Sequence, residues 1–351
     1  MVTDDSLLPS VRAGFEISQD RLHDWLAAHI SDYHGPLAIR QFSGGQSNPT
    51  YLLQTAAAQY VLRRKPPGNL LASAHAVDRE FRVLRALSAY PVPVPRVFAL
   101  CEDPAVIGTS FYVMEHVSGR IFWDSTFPEL GRQERAAYFE AMSAALASLH
   151  NIDYRAAGLE DFGRAEGYVA RQVSRWAKQY LADSDAGRIA AMDRLVDWLP
   201  EHVPQTGPIS IVHGDYRCDN LVFHPTEPRL LAILDWELAT IGDPLADFAY
   251  HLMIYRLPAL AIPGLVGVDL RARGIPSERD YIAAYCRRTG RDSLPDLDVY
   301  LAYNMFRLAA IFHGIRGRVL RGTAVSPRAR EYAQHVEALA DCAWRQAERV
   351  G

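Results

Sequence analysis

The stretch ISIVHGDYRCDNLVFHPTEPRLLAILDWELATIGDPLADFAY, residues 209–250, is the part of the chain from which the rest can be read. An apolar, strand-like run, Ile209 to Val212, stops at His213-Gly214-Asp215, and a polar loop leads on to Asn220. The chain turns apolar again at Leu221-Val222-Phe223. Pro225-Thr226-Glu227-Pro228 is a turn by its residue types. It feeds a second apolar run, Leu230 to Leu234, which ends at Asp235. The pattern predicts a short hairpin that sets Asn220 and Asp235 side by side, with Asp215 facing them. Hard oxygen groups gathered in this way suit Mg²⁺ carrying a polyphosphate, and one spare carboxylate suits a base.

That grouping points to phosphoryl transfer, a reaction that needs little covalent help. It needs charge neutralised on the β- and γ-phosphates and an acceptor for the proton of the attacking hydroxyl. Asp235 and Asn220 supply metal ligands, and Asp215 supplies the base. The step from Asp215 to Asn220 is the spacing of H-x-D-x-x-x-x-N in kinase catalytic loops. On these residues, HGDYRCDN followed by an apolar run and LDWE, the stretch resembles the catalytic and metal-binding loops of the aminoglycoside phosphotransferase and choline kinase superfamily. VLRRKPPGNLLASAHAVDREFRVLRAL and YVARQVSRWAKQY look, more closely, like the kinase-like domain joined to an acyl-CoA dehydrogenase in some animal proteins.

Composition sets the limits. The 351 residues, 49% hydrophobic, are enough to bury a large core divided between two lobes. A net charge of −4 offers no basic stripe for nucleic acid and no bias toward an anionic membrane. Cys101, Cys218, Cys286 and Cys342 are scattered, without a C-x-x-C pair, and read as reduced structural residues. The acids Asp4 and Asp5 and the lack of an apolar run near the N-terminus argue against a secretory signal. Leu257 to Leu270 is broken by prolines and glycine and is too short to span a bilayer. The expectation is a cytoplasmic protein of undetermined oligomeric state, with a small-molecule acceptor as its partner.

Along the chain, Ile17 to Ile30 has helical spacing after a Ser18 cap candidate. Strands are expected at Leu37 to Phe42 and Thr50 to Leu53, around the turn Ser43-Gly44-Gly45-Gln46-Ser47-Asn48. Tyr60 to Lys65 is the next strand, and Ala72 to Ala89 a helix with Val77, Phe81, Leu84 and Leu87 on one side. Glu80 lies beside that stripe. A further strand, Phe111 to Val117, ends at Ser118-Gly119. Helices are expected at Glu134 to His150, Gly167 to Leu181, Gly187 to Leu199 and through most of the C-terminal third. Asp243 reads as an N-cap with Pro244 at the first helical position.

The resemblance implies an α+β, protein-kinase-like fold of two lobes. The small lobe, residues 1–117, is an antiparallel sheet with one helix and holds the nucleotide. The larger, mainly helical lobe, residues 118–351, carries catalysis and the acceptor. The resemblance also implies ATP and Mg²⁺ as cofactors, with Gly45, Ser47 and Asn48 over the phosphates. It implies a phosphate clamp at Arg63, or at Arg64 if the strand slips by one, paired with Glu80. Met114, Glu115 and Val117 would form the adenine-holding hinge, and Asp243 with Asp247 a structural brace. The acceptor implied is a hydroxy acid or its CoA thioester in preference to an aminoglycoside. A catalytically silent nucleotide-binding module and a metal-dependent hydrolase built on His213, Asp215 and Asp235 are the competing classes.

Overall fold

The computed structural model describes residues 9–42, 48–66, 76–324 and 326–350. Gly45 and Ser47, together with the start of the helix expected from Ala72, lie outside these residues. The chain divides into two compact units, one made of 1–121 with 220–239 and the other of 122–219 with 240–351. The segment 220–239 therefore groups with the first unit across the single cut expected after Val117.

In the first unit, α1 (Gln19–His29) precedes β1 (Ala38–Gln41), β2 (Thr50–Gln54) and β3 (Gln59–Arg64). These are followed by α2 (Val77–Leu87), β4 (Val97–Cys101), the one-turn α3 (Pro104–Ile107) and β5 (Phe111–Glu115). The strands form one antiparallel sheet in the order β1-β2-β3-β5-β4. Successive strand residues face opposite sides, and this sheet uses both. Tyr51, Leu53, Tyr60, Leu62, Phe111 and Val113 join Leu22 and Leu26 of α1 in one core. The alternate residues share the other face, where register sets Val61 opposite Met114 and Arg63 opposite Tyr112. Ser18 starts α1 without a side-chain cap bond.

The second unit begins with α4 (Arg132–His150), α5 (Tyr168–Ala182), α6 (Ala190–His202) and β6 (Ser210–Val212). The chain then returns to the first unit for the expected hairpin, β7 (Leu221–Phe223) against β8 (Leu230–Ile233). A 3₁₀ turn, Trp236–Leu238, follows, and then β9 (Thr240–Gly242), which pairs with β6 in the second unit. That short pairing has no alternating pattern to announce it. Next come α7 (Pro244–Leu252), α8 (Leu270–Arg273), α9 (Glu278–Thr289) and α10 (Leu297–Leu320). The last expected helix is split into α11 (Ala329–Gln334) and α12 (Val336–Ala347). The four cysteines are free and buried. Among the described residues no helix is long and apolar enough to cross a membrane.

Candidate active site

On the first unit, Arg63 gathers the acidic residues. Strand alternation aims it at the face shared with Tyr112 and Met114, and α2 presents Glu80 there. Its Nε lies 3.3 Å from Glu80 Oε2, and its Nη1 and Nη2 donate to Asp235 Oδ1 at 3.2 and 3.1 Å. Glu237 is 3.8 Å away. Arg64 takes the opposite face, where it donates to the carbonyl of Ile107 and lies over the Tyr51 ring. Glu80 is 1% exposed and also accepts from Asn48 Nδ2 at 2.7 Å and Tyr112 Oη at 3.0 Å. Burial alone would favour a neutral Arg63, but Glu80, Tyr112 and Asp235 reverse this and hold it charged. Burial pushes the Glu80 carboxyl up, against the pull of Arg63 and the two donors.

The expected hairpin is present, and the amide of Leu234, the residue before Asp235, donates to the carbonyl of Asn220 at 2.8 Å. Asp235 itself has φ +66°, a left-handed backbone that short polar side chains tolerate best. Asn220 and Asp235 supply oxygen donors of the kind Mg²⁺ prefers. The ion usually takes one or two protein ligands and fills its octahedron with water and phosphate oxygens. Among the described residues no three His, Cys, Asp or Glu side chains group as a metal site.

The expected hinge residues also lie on this unit. Met114 is buried on the Arg63 face of β5. The amide of Glu115 donates to the carbonyl of Arg96 at 2.8 Å, and its carboxylate accepts from the Arg96 amide. Val117 is half-buried just beyond the strand. Asn48 is fully buried, and its side-chain amide is given to Glu80.

On the second unit, the loop after β6 carries Asp215. Gly214 takes φ +83°, and the loop's backbone is gripped from α7. Asp247 accepts the amides of His213 at 2.7 Å and Gly214 at 2.9 Å, and is itself held by His150 Nε2 at 3.2 Å. From α10, Arg307 donates to the carbonyl of Gly214 at 2.6 Å. The hydroxyl of Tyr250 donates to Asp215 Oδ1 at 2.5 Å, and Arg217 Nε stands 3.7 Å from the same oxygen. Burial would raise the Asp215 carboxyl, but Arg217, the Tyr250 hydroxyl and Arg307 together hold it below its ordinary value. A carboxylate so supported is ionised and oriented, as a proton acceptor must be.

A cleft of about 170 Å³ opens beside this loop. Arg217, Tyr250, Trp123, Met253 and Arg328 are among the side chains lining it. None of Tyr250, Arg217, Arg307, Arg328 and Tyr112 had been singled out from the sequence as part of the base or clamp. Tyr250 lies seven residues beyond Asp243 on a wholly buried helix, and nothing in its spacing separates it from a core tyrosine. Arg217 stands inside the HGDYRCDN motif, where its charge two residues from Asp215 was the available signal.

The sequence profile of the phosphotransferase enzyme family matches residues 38–285. Acyl-CoA dehydrogenase family member 10 of Mus musculus is 43% identical over 345 residues, covering 97% of this chain and 32% of that protein. Family member 11 of Homo sapiens is 41% identical over 354 residues, covering 99% and 45%. The chain thus spans less than half the length of these curated relatives. A Ralstonia eutropha JMP134 crystal structure, described as a candidate aminoglycoside phosphotransferase, superposes with a TM-score of 0.87 at 45% identity, covering 95% of this chain and 99% of that one. Choline kinase of Cryptosporidium parvum shares the fold at 12% identity, with a TM-score of 0.65 over 95% and 96% of the two chains. The fold is α+β and kinase-like. A profile match across most of the chain, with the HGD loop and the LDWE hairpin inside it, has one meaning: the chain belongs to the phosphotransferase enzyme family.

Proposed function

We propose that the protein transfers the γ-phosphoryl group of ATP to the hydroxyl of a small metabolite, a hydroxy acid or its CoA thioester. The observation that carries this reading is the cluster on the first unit. There one buried guanidinium holds both the α2 glutamate and the aspartate that ends the hairpin, beside Asn220. In this reading Arg63 forks onto phosphate oxygens, a role its fixed charge and planar donors suit. Glu80 keeps it in place. Asn220 and Asp235 hold Mg²⁺, which when bound neutralises charge on the polyphosphate. The acceptor oxygen forms a bond to the γ-phosphorus, the bond from that phosphorus to the bridging oxygen of ADP breaks, and the hydroxyl proton passes to Asp215. Gly45, Ser47 and Asn48 cover the phosphates through backbone amides. Met114, Glu115 and Val117 receive the adenine.

The preference for an acid over an aminoglycoside rests on the cleft. Its lining carries Arg217 and Arg328 against Asp219 alone, and His251 is neutral because burial lowers it to about 4. A polycation has little to hold there. An ATP-consumption screen weighted toward hydroxy acids and their CoA esters tests the assignment. Turnover with these and none with aminoglycosides is expected, and the reverse would refute the acceptor class. Asp215→Ala should abolish transfer while MgATP still raises the melting temperature. Absence of any MgATP effect in the unaltered protein would favour a silent module.

A further inference from the structure

We infer that Arg328, with Arg217 beside it, anchors the acceptor's anionic group. The cleft next to Asp215 would then take a short hydroxy carboxylate, hydroxyl toward Asp215 and carboxylate on Arg328. The inference rests on the transfer reading above and deepens it.

Three observations within the second unit converge. First, two guanidinium groups, those of Arg217 and Arg328, line one small cleft. Arg217 is paired with Asp219, and Arg328 with Glu331 at 2.9 Å. Among the cleft's own lining the two guanidiniums stand against the single carboxylate of Asp219, and carboxylate is the geometry a guanidinium fork matches.

Second, Arg217 Nε is buried and has no hydrogen-bond partner among the described residues, although donors so placed are ordinarily satisfied. It lies 3.7 Å from Asp215 Oδ1 on a side chain that lines the cleft, where an oxygen of a bound acceptor would complete it. Third, part of the lining is apolar and adaptable. Met142, Met253 and Ile262 face the cleft, and Trp123 at its edge is 63% exposed. Such a surface fits a few methylene groups between a hydroxyl and a carboxylate.

Arg328 is tethered to the carbonyl of Ala261 at 2.9 Å and lies over the Tyr332 ring. It is therefore held in position, yet its side chain is 53% exposed and reachable. Because its side chain is more than half exposed, Arg328→Gln should leave folding intact.

The test compares straight-chain hydroxy carboxylates with their primary amides and with the matching phosphate monoesters, in the wild type and in Arg328→Gln. Transfer is followed by ADP release, and binding without nucleotide by calorimetry. The expected result is that Arg328→Gln lowers kcat/KM for the carboxylate by about ten- to a hundred-fold, mostly through KM. The amide should change less than three-fold, and carboxylate binding should weaken in parallel. Transfer that is equally insensitive to the substitution for carboxylate and amide would overturn the anchor. Selective loss with the phosphate monoester alone would overturn the carboxylate. Carboxylate binding that depends on Arg328 but is never followed by transfer would support the anchor and refute the transfer reading. Neither binding nor transfer would refute both.

Discussion

Tyr250 gives its hydroxyl proton to the oxygen of Asp215 that also faces Arg217, and its ring is covered by the guanidinium of Arg307 at 4.7 Å. The bond stabilises the ionised carboxylate, so its loss must raise the Asp215 carboxyl toward the ordinary range. Tyr250→Phe keeps the ring and removes only the donor. It should lower kcat about ten-fold and move the acid limb of the kcat profile to higher pH, with KM for ATP unchanged. An unmoved acid limb would assign Tyr250 to packing alone. At Arg63 the expected effect is on stability as well as chemistry. Glu80 is 1% exposed, and removing the cation from a buried pair costs roughly 3–5 kcal/mol because the remaining charge is left unpaired. Arg63→Met should therefore unfold at markedly lower denaturant concentration, and Arg63→Met combined with Glu80→Leu should recover much of the loss. The two arginines of β3 also mark how far the sequence could be read. Alternation places them on opposite faces, but which face holds Glu80 depends on where α2 packs, and that is a long-range fact. The loop and hairpin that carry Asp215, Asn220 and Asp235 were legible because their spacing is local. Tyr250 was not, because its role exists only once α7 turns its second turn toward the HGD loop.

At the scale of elements, α7 and α10 act as a brace for that loop. Asp243 caps α7, accepting the Leu245 amide at 2.8 Å, and Tyr300 donates to it at 2.6 Å. Asn304 donates to the carbonyl of Ala246, and Arg307 to that of Gly214. Positions 300, 304 and 307 follow the i, i+4, i+7 spacing of one helix face, so a single stripe of α10 fastens both α7 and the loop. These three side chains are buried and engaged in bracing. Asp243 and Asp247, read as architectural, are so. The same brace explains His150, which joins Asp247 to Tyr285 through bonds of 3.2 and 2.7 Å. Asp247→Ala would strand two buried amides, each costing about 1–3 kcal/mol, and should be among the most destabilising substitutions in the second unit by chemical denaturation. Gly214→Ala tests the loop's shape with little change in buried surface. At φ +83° a Cβ costs roughly 1–2 kcal/mol, so the variant should fold. Relaxation of the turn displaces Asp215, and kcat should fall more steeply than stability. A variant with normal kcat would mean that the left-handed turn does not set the base.

For the molecule as a whole, the response to acid follows from groups that folding forces into one protonation state. Asp215 and Asp247 are held below their ordinary values, so their contribution is present at neutral pH and is lost only in strong acid, as pH falls through their depressed folded values. His251 acts earlier. It is buried against Tyr281, sharing a 2.7 Å hydrogen bond, and burial lowers it from 6.5 to about 4. Between these values the unfolded chain takes up a proton that the folded one refuses, so stability must decline as pH falls from 6.5 toward 4. From pH 7 to pH 5 this single side chain accounts for about 2 kcal/mol. Glu80, Asp219 and Asp243, whose carboxyls burial pushes up, contribute in the opposite sense as they protonate. The net curve therefore does not isolate His251, but a variant does. His251→Gln keeps a polar partner for the Tyr281 hydroxyl and cannot titrate. It should be less stable than wild type at pH 7 and lose about 2 kcal/mol less on going to pH 5, as measured by urea denaturation at the two values. Equal losses for the two proteins would mean that His251 is charged in the folded state, and that the aromatic packing around Tyr216 and Tyr281 admits a proton which its burial opposes.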